Sequence, residues 1–283
     1  MKPYIRISGN IEINTTTKIL NSLNLSTVCQ EASCPNIWEC FGNSTATFML
    51  MGNVCTRACK FCNVATGIPQ KLSSEEGKNI ALAAEKLNLK YIVLTCVTRD
   101  DLADGGASHF VEVIREIRKK ITNCDIEVLT SDFNGNLKNL EIVLQEKPTV
   151  FNHNLETVKR LNSQVRAKAT YQRSLKILEY AANKNIVCKT GLMVGFGETM
   201  QELQETMQDA YNVGCSLIAI GQYLQPSSKH FPVIKYYTEQ EFEQLANYAK
   251  TLGFKGIAAG LRVRSSYNAK IIKEQNKIAN GKL

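Results

Sequence analysis

The chain is short of several things, and each shortage closes a possibility. No run approaches the ~18 consecutive apolar residues of a membrane-spanning helix. Residues 1–10 are mixed in character, with no apolar export signal and nothing like an Arg- and Ser-rich transit peptide. No membrane role is expected, and a reducing cytoplasm is the consistent address. Aromatic residues are only 7% of the chain and no basic run is interleaved with them, so the formal charge of +8 does not point to nucleic acid. Part of that charge sits in the Lys-rich tail from Lys270 to Lys277, which reads as a solvated helix end and would steer an acidic partner toward it. Repeats of fixed period and low-complexity segments are absent.

Cysteine is what the chain has in excess, ten in 283 residues. Six fall in one short window, as Cys29-x4-Cys34-x5-Cys40 and Cys55-x3-Cys59-x2-Cys62. Structural zinc sites pair Cys-x2-Cys with a second pair of Cys or His further on, and neither trio is followed closely by such a pair. A disulfide framework belongs to short secreted chains. Two iron–sulfur centres fit better. Three thiolates are one short of full ligation of a cubane, so each trio leaves a position for something else. The other four, Cys96, Cys124, Cys188 and Cys215, share no spacing and are expected to pack in the core.

A chain of this length with 44% apolar residues can bury a sizeable core as one large α/β domain or two smaller ones. Short β-branched runs alternate with stretches of helical period. The strands are expected at 47–51, 91–97, 126–130, 149–153, 186–194, 217–223 and 256–259. Phe110, Val113, Ile114 and Ile117 stand at helical spacing, as do Phe242, Leu245, Ala246 and Ala249. Capping boxes are expected at Ser73-x-x-Glu76 and Thr238-x-x-Glu241. Repeated strand-then-helix units predict a parallel sheet, either open and doubly wound or closing as a barrel, with ligands at the carboxyl ends of the strands. The second cysteine trio directly follows the first strand, at that edge.

The loop Cys55-Thr56-Arg57-Ala58-Cys59-Lys60-Phe61-Cys62 resembles the signature of the radical S-adenosylmethionine (SAM) enzymes, with an aromatic before the last cysteine. The segment from Cys29 to Cys40, with its Pro35-Asn36 and Trp38-Glu39-Cys40 context, resembles the auxiliary-cluster segment of the lipoyl synthase family. Arg264-Ser265-Ser266-Tyr267 resembles that family's Arg-Ser-Ser-Tyr motif. Further blocks lie at 99–106, 152–158, 189–199 and 221–226, so the resemblance spans nearly the whole chain. It departs at Asn268 and Lys270, where the family commonly has His and Asp.

The resemblance implies an α/β fold, a partial (β/α)6 barrel over residues 46–260. An N-terminal extension, 1–45, would carry the auxiliary cysteines, and a C-terminal one, 261–283, the serine motif. It implies two [4Fe–4S] clusters and SAM as cofactors. Cys55, Cys59 and Cys62 would hold the cluster that activates SAM, and Cys29, Cys34, Cys40 and Ser266 the auxiliary cluster that gives up sulfur. The implied reaction places two sulfurs at C6 and C8 of an octanoyl group on a carrier-protein lysine. The implied partners are octanoylated lipoyl domains or the glycine-cleavage carrier protein, an electron donor such as ferredoxin or flavodoxin, and an iron–sulfur carrier for cluster rebuilding.

Candidate contacts to SAM within the matching blocks are Gly105, Gly106, Asn152, Lys189, Glu198 and Gln222. Each has a plainer reading. Gly105-Gly106 is equally a tight turn before a helix, and Glu198 equally a helix cap. Ser265 and Ser266 without the distant cysteines would be an N-cap. His153 is expected to have a packing or supporting role, and Trp38 either to shield a cluster from water or simply to pack. Biotin synthase and the methylthiotransferases are the nearest chemical rivals; a zinc-bearing interaction module is the rival of another class.

Overall fold

The structure is a computed structural model that describes residues 11–42 and 46–279. Seven strands form one sheet: β1 (Thr47–Leu50), β4 (Tyr91–Cys96), β5 (Asp125–Leu129), β6 (Val150–Asn152), β7 (Val187–Val194), β8 (Cys215–Gln222) and β9 (Gly256–Gly260). Two short strands, β2 (Val54–Cys55) and β3 (Ala65–Thr66), pair with each other in the loop after β1. All pairings in the large sheet are parallel, and its strands lie side by side in chain order. A doubly wound sheet reverses direction at a switch point. This one does not, which makes it a barrel, and β1 does not pair with β9, which leaves the barrel open.

Strand alternation separates two faces. The outward side chains, such as Ile92, Leu94, Ile126, Val128, Phe151, Ile218 and Ile220, are apolar and almost wholly buried beneath the helices. Phe110, Val113, Ile114 and Ile117 lie on one face of the helix Ala107–Lys120 and are fully buried. Each contributes about 1.5–3 kcal/mol relative to exposure. The inward face is mixed. At the amino ends of the strands Val150 and Leu217 pack with Ile272, supported by Val187 and Ala258. The same face carries a polar group in which Tyr91 donates to Glu127 at 2.6 Å and Lys189 and Asn152 donate to it at 3.0 and 2.9 Å.

Ile272 belongs to the helix Ala269–Ala279, so the C-terminal segment plugs the amino end of the barrel. The solvated reading of the Lys-rich tail therefore holds for Lys270, which is exposed, and fails for Lys273. That side chain is buried, with Nζ 2.7 Å from the Asp125 carboxylate. The capping box at Thr238 and Glu241 is formed, and a second one stands at Thr199 and Glu202. The one expected at Ser73 and Glu76 is not. The Glu76 carboxylate instead accepts the backbone N–H of Met51 at 2.9 Å and contacts His109.

Candidate active site

The carboxyl ends of the strands open on a cavity of about 910 Å³ lined by both cysteine trios and by Ser266. Residues from β4, β7 and β8 also reach it, among them Thr95, Gly191, Met193, Ala219 and Gly221.

The second trio sits on the loop leaving β1, whose two ends are tied by the β2–β3 pairing. Within it Cys62 N–H donates to the Cys59 carbonyl at 3.1 Å. Amides aim at the sulfurs: Thr98 N–H lies 3.3 Å from Cys55 Sγ, Arg57 N–H 3.4 Å from the same sulfur, and Ala167 N–H 3.3 Å from Cys59 Sγ. Such hydrogen bonds to sulfur help set the potential of an iron–sulfur centre. The Arg57 side chain fastens the loop to the ends of two strands. It donates to Asp100 from Nε at 2.9 Å and from Nη2 at 2.8 Å, and Nη2 is 2.8 Å from Asp132. Burial alone would raise Asp132, but the Arg57 hydrogen bond and charge hold it below the ordinary carboxylate range.

The first trio rides on two short helices before β1. Cys29 lies in Val28–Glu31, capped by Thr27, whose hydroxyl oxygen accepts Gln30 N–H. Cys34 follows a turn at Ser33, and Cys40 lies in Ile37–Gly42. The C-terminal segment comes to this trio through two bonds: Asn36 Nδ2 donates to the Arg262 carbonyl at 2.7 Å, and Tyr267 donates its hydroxyl to Glu39 at 2.7 Å. Ser266 reaches the cavity between these two contacts. The helix beyond begins only at Ala269, and its Ile272 N–H bonds to the Asn268 carbonyl. Ser266 is not its cap. Ser265 also lines the cavity, where it donates to Asn154 Oδ1 at 2.8 Å.

Every cysteine is a free thiol. Burial raises Cys29 to about 11, Cys40 to about 12 and Cys62 to about 12, and also raises Cys34 and Cys59. Charge on Cys34 raises Cys29, charges on Cys29 and Cys34 raise Cys40, and charges on Cys59 and Cys55 raise Cys62. These couplings run within each sequence trio, and Cys55 also acts on Cys96. Among the described residues no three His, Cys, Asp or Glu converge closely enough to hold a single ion. Zinc needs its sulfurs about 2.3 Å away. Thiols grouped around shared space, each free to bind a different iron, suit a multi-iron core, and taking it up must expel protons from raised thiols.

Three charged cavity residues were not singled out from sequence. Burial raises Glu156, opposed by the Arg166 charge; burial lowers Arg166; and burial lowers Arg264, whose charge acts on Cys34. All three line the cavity. Glu156 and Arg264 lie inside quoted motif blocks, but nothing local marks them as facing inward.

The candidate SAM contacts lie off the cavity lining. Gly105 and Gly106 have left-handed φ of 61° and 87°, and Gly106 precedes the helix Ala107–Lys120. A Cβ on Gly106 would run into Met51, and one on Gly105 would sit 3.2 Å from Phe133, so the neighbours they approach are protein. Asn152 and Lys189 belong to the Glu127 group. Glu198 accepts the Gly195 and Phe196 amides at 2.6 and 2.9 Å. Gln222 donates to three carbonyls and accepts the Tyr237 N–H at 2.9 Å. These four side chains are engaged in holding backbone and barrel together.

His153 is buried between the Thr130 carbonyl and the Ser174 hydroxyl, and burial lowers it to about 4. Its supporting role is as expected. Trp38 is 42% exposed and is no buried shield. Cys188 and Cys215 are buried register partners, whereas Cys96 lines the cavity beside Cys55.

The chain matches the family model of the Radical SAM superfamily over residues 49–210. It is 49% identical to a lipoyl synthase of Aquifex aeolicus (strain VF5), over 95% of this chain and 97% of that protein. It is also 49% identical to a lipoyl synthase of Caldicellulosiruptor saccharolyticus, over 94% of each. Among solved structures, the FeFe-hydrogenase maturase HydG from Carboxydothermus hydrogenoformans superposes with a TM-score of 0.61 at 17% identity, over 94% of this chain and 61% of that one. That last likeness is one of fold.

Proposed function

The chain belongs to the lipoyl synthase family of the radical SAM superfamily, and with that membership come SAM and a [4Fe–4S] cluster; on that premise we propose how its cavity divides the work. The reaction is sulfur insertion at C6 and C8 of an octanoyl group carried on the lysine of a lipoyl domain or the glycine-cleavage carrier protein. Those C–H bonds have no proton acidic enough for a side-chain base, so no arrangement of Glu156 or His153 could begin it. When bound, one cluster delivers the electron that cleaves SAM to a 5′-deoxyadenosyl radical, and a second supplies the sulfur.

Cys55, Cys59 and Cys62 would hold the first cluster, and Cys29, Cys34, Cys40 and Ser266 the second. The observation that carries this division is that both trios and the distant serine line one cavity. The chain's own tasks there are positional. Amides of Thr98 and Ala167 aim at Cys55 and Cys59 sulfurs, and Arg57 holds the loop still. Asn36 and Glu39 bring the C-terminal segment to the first trio. Ser266 offers a hard oxygen among soft thiolates and would be the ligand released most readily. A ferredoxin or flavodoxin would supply electrons, and an iron–sulfur carrier would rebuild what is spent.

Replacing Cys29, Cys34 and Cys40 together by Ala should halve the iron and sulfide of anaerobically purified protein. It should leave reductive SAM cleavage intact and abolish sulfur insertion into an octanoyl-lysine peptide. Loss of both activities in a folded variant would refute the division, and colourless protein carrying zinc would refute iron–sulfur chemistry altogether.

A further inference from the structure

After β9 the chain turns back and runs down the inside of the barrel, against the direction of the strands. Val263 lies at the level of Gly221 near the end of β8, Ser265 at Gly191 midway along β7, and Ile272 at Gly256, the first residue of β9. At each crossing the tail touches the strand so closely that a side chain could not fit. A Cβ built on Gly221 would fall inside 3.0 Å of the Val263 carbonyl, on Gly191 inside 3.0 Å of Ser265 Oγ and Asn154 Oδ1, and on Gly256 inside 3.0 Å of the Ile272 carbonyl. None of the three glycines has left-handed φ, so backbone freedom does not account for them. Space does.

Ser265 fastens the descending segment midway. Its hydroxyl donates to Asn154 Oδ1 at 2.8 Å, and Asn154 Nδ2 donates to Glu156 at 3.1 Å, so the tail is tied to the loop after β6. Lower down Lys273 reaches Asp125, and Gln275 accepts the Ile257 N–H at 3.0 Å. We propose that Gly191, Gly221 and Gly256 form a side-chain-free track for the C-terminal segment, and that Ser265, latched to Asn154, is the positioning residue that turns Ser266 into the cavity. The two adjacent serines then have unlike duties, one anchoring and one facing the metal site. The second duty rests on the assignment of Ser266 proposed above; the track and the latch do not.

The test uses the full-length chain. Gly191→Ala and, with no steric insult, Ser265→Ala are compared with wild type by hydrogen exchange over residues 261–279 in metal-free protein. After anaerobic reconstitution the Mössbauer signature of the auxiliary cluster is recorded and compared with that of Ser266→Ala. Gly260→Ala is the control, because its Cβ would meet Val263 at an ordinary 3.6 Å. Faster exchange in Gly191→Ala and Ser265→Ala but not in Gly260→Ala, with an auxiliary signature that moves toward that of Ser266→Ala, is the expected result. Unchanged exchange in both variants overturns the track and latch. Faster exchange with a wild-type auxiliary signature, while Ser266→Ala alters it, overturns the positioning role. If Ser266→Ala leaves the signature unaltered, the ligand assignment fails, and the exchange result alone decides the track.

Discussion

Asn36 and Arg262 stand 226 residues apart in sequence and are joined by a 2.7 Å hydrogen bond from the side-chain amide to the backbone carbonyl. Asn36 is almost wholly buried, and its bond is one of those that bring the C-terminal segment to the first cysteine trio. Its replacement by Leu removes the donor to the part-buried Arg262 carbonyl, a net loss of about 0.5–1.5 kcal/mol. Denaturant unfolding of metal-free Asn36→Leu should show that loss, and its reconstituted iron should fall toward the content of the triple-Ala variant. Wild-type stability would mean that the bond is dispensable.

Arg57 binds the second cysteine loop by side-chain charge to both Asp100 and Asp132. Asp132 is fully buried and, when Arg57 is removed, keeps Arg173 at 3.0 Å and the Asn134 N–H at 3.1 Å. Breaking a buried pair from one side costs about 3–5 kcal/mol. Arg57→Met should lower the denaturation midpoint accordingly and should lose iron from the loop cluster first, as seen by slower SAM cleavage.

The Lys189–Glu127 pair has no solvent exposure on either side chain. Lys189→Met leaves Glu127 charged and buried with only the Tyr91 and Asn152 donors, so it should destabilise by about 3–5 kcal/mol. The double variant Lys189→Met, Glu127→Leu should recover part of that loss, since no buried charge then remains, while Tyr91 and Asn152 lose their acceptor. If Lys189 contacted SAM, the double variant would instead regain stability without regaining SAM affinity, as calorimetry would read.

His153 is lowered from 6.5 to about 4 by burial, opposed by its Thr130 hydrogen bond. The unfolded imidazole takes up a proton between those values and the folded one does not. Stability is therefore full above about pH 6.5 and falls as the pH drops toward 4, by up to ~1.4 kcal/mol per pH unit. His153→Gln should flatten the unfolding free energy over that window. A slope unchanged from wild type would assign the acid sensitivity to other groups.

Much of this was legible because it is local. Seven β-branched runs became seven strands, each within two residues of its expected ends, since period and composition depend on near neighbours. Cysteine spacing on a short loop was legible for the same reason. Glu76 was misjudged because Ser-x-x-Glu has one appearance whether the carboxylate bonds its own helix or, as here, the amide of Met51. Glu127 passed unnoticed as a lone acid in a strand, and only the facing Lys189 explains it. Lys273 looked solvated because its partner, Asp125, is 148 residues away.

The sequence by itself determined the inventory: six grouped thiols, a serine motif at the far end, and strand–helix units that must make a parallel sheet. Tertiary structure alone decided the order of the strands, which motif residues face the cavity, and that the distant serine motif comes to the cysteines there. Spacing along a chain constrains atoms only within a few residues, whereas convergence on a cavity depends on long-range packing, here a tail threaded past glycines on three different strands.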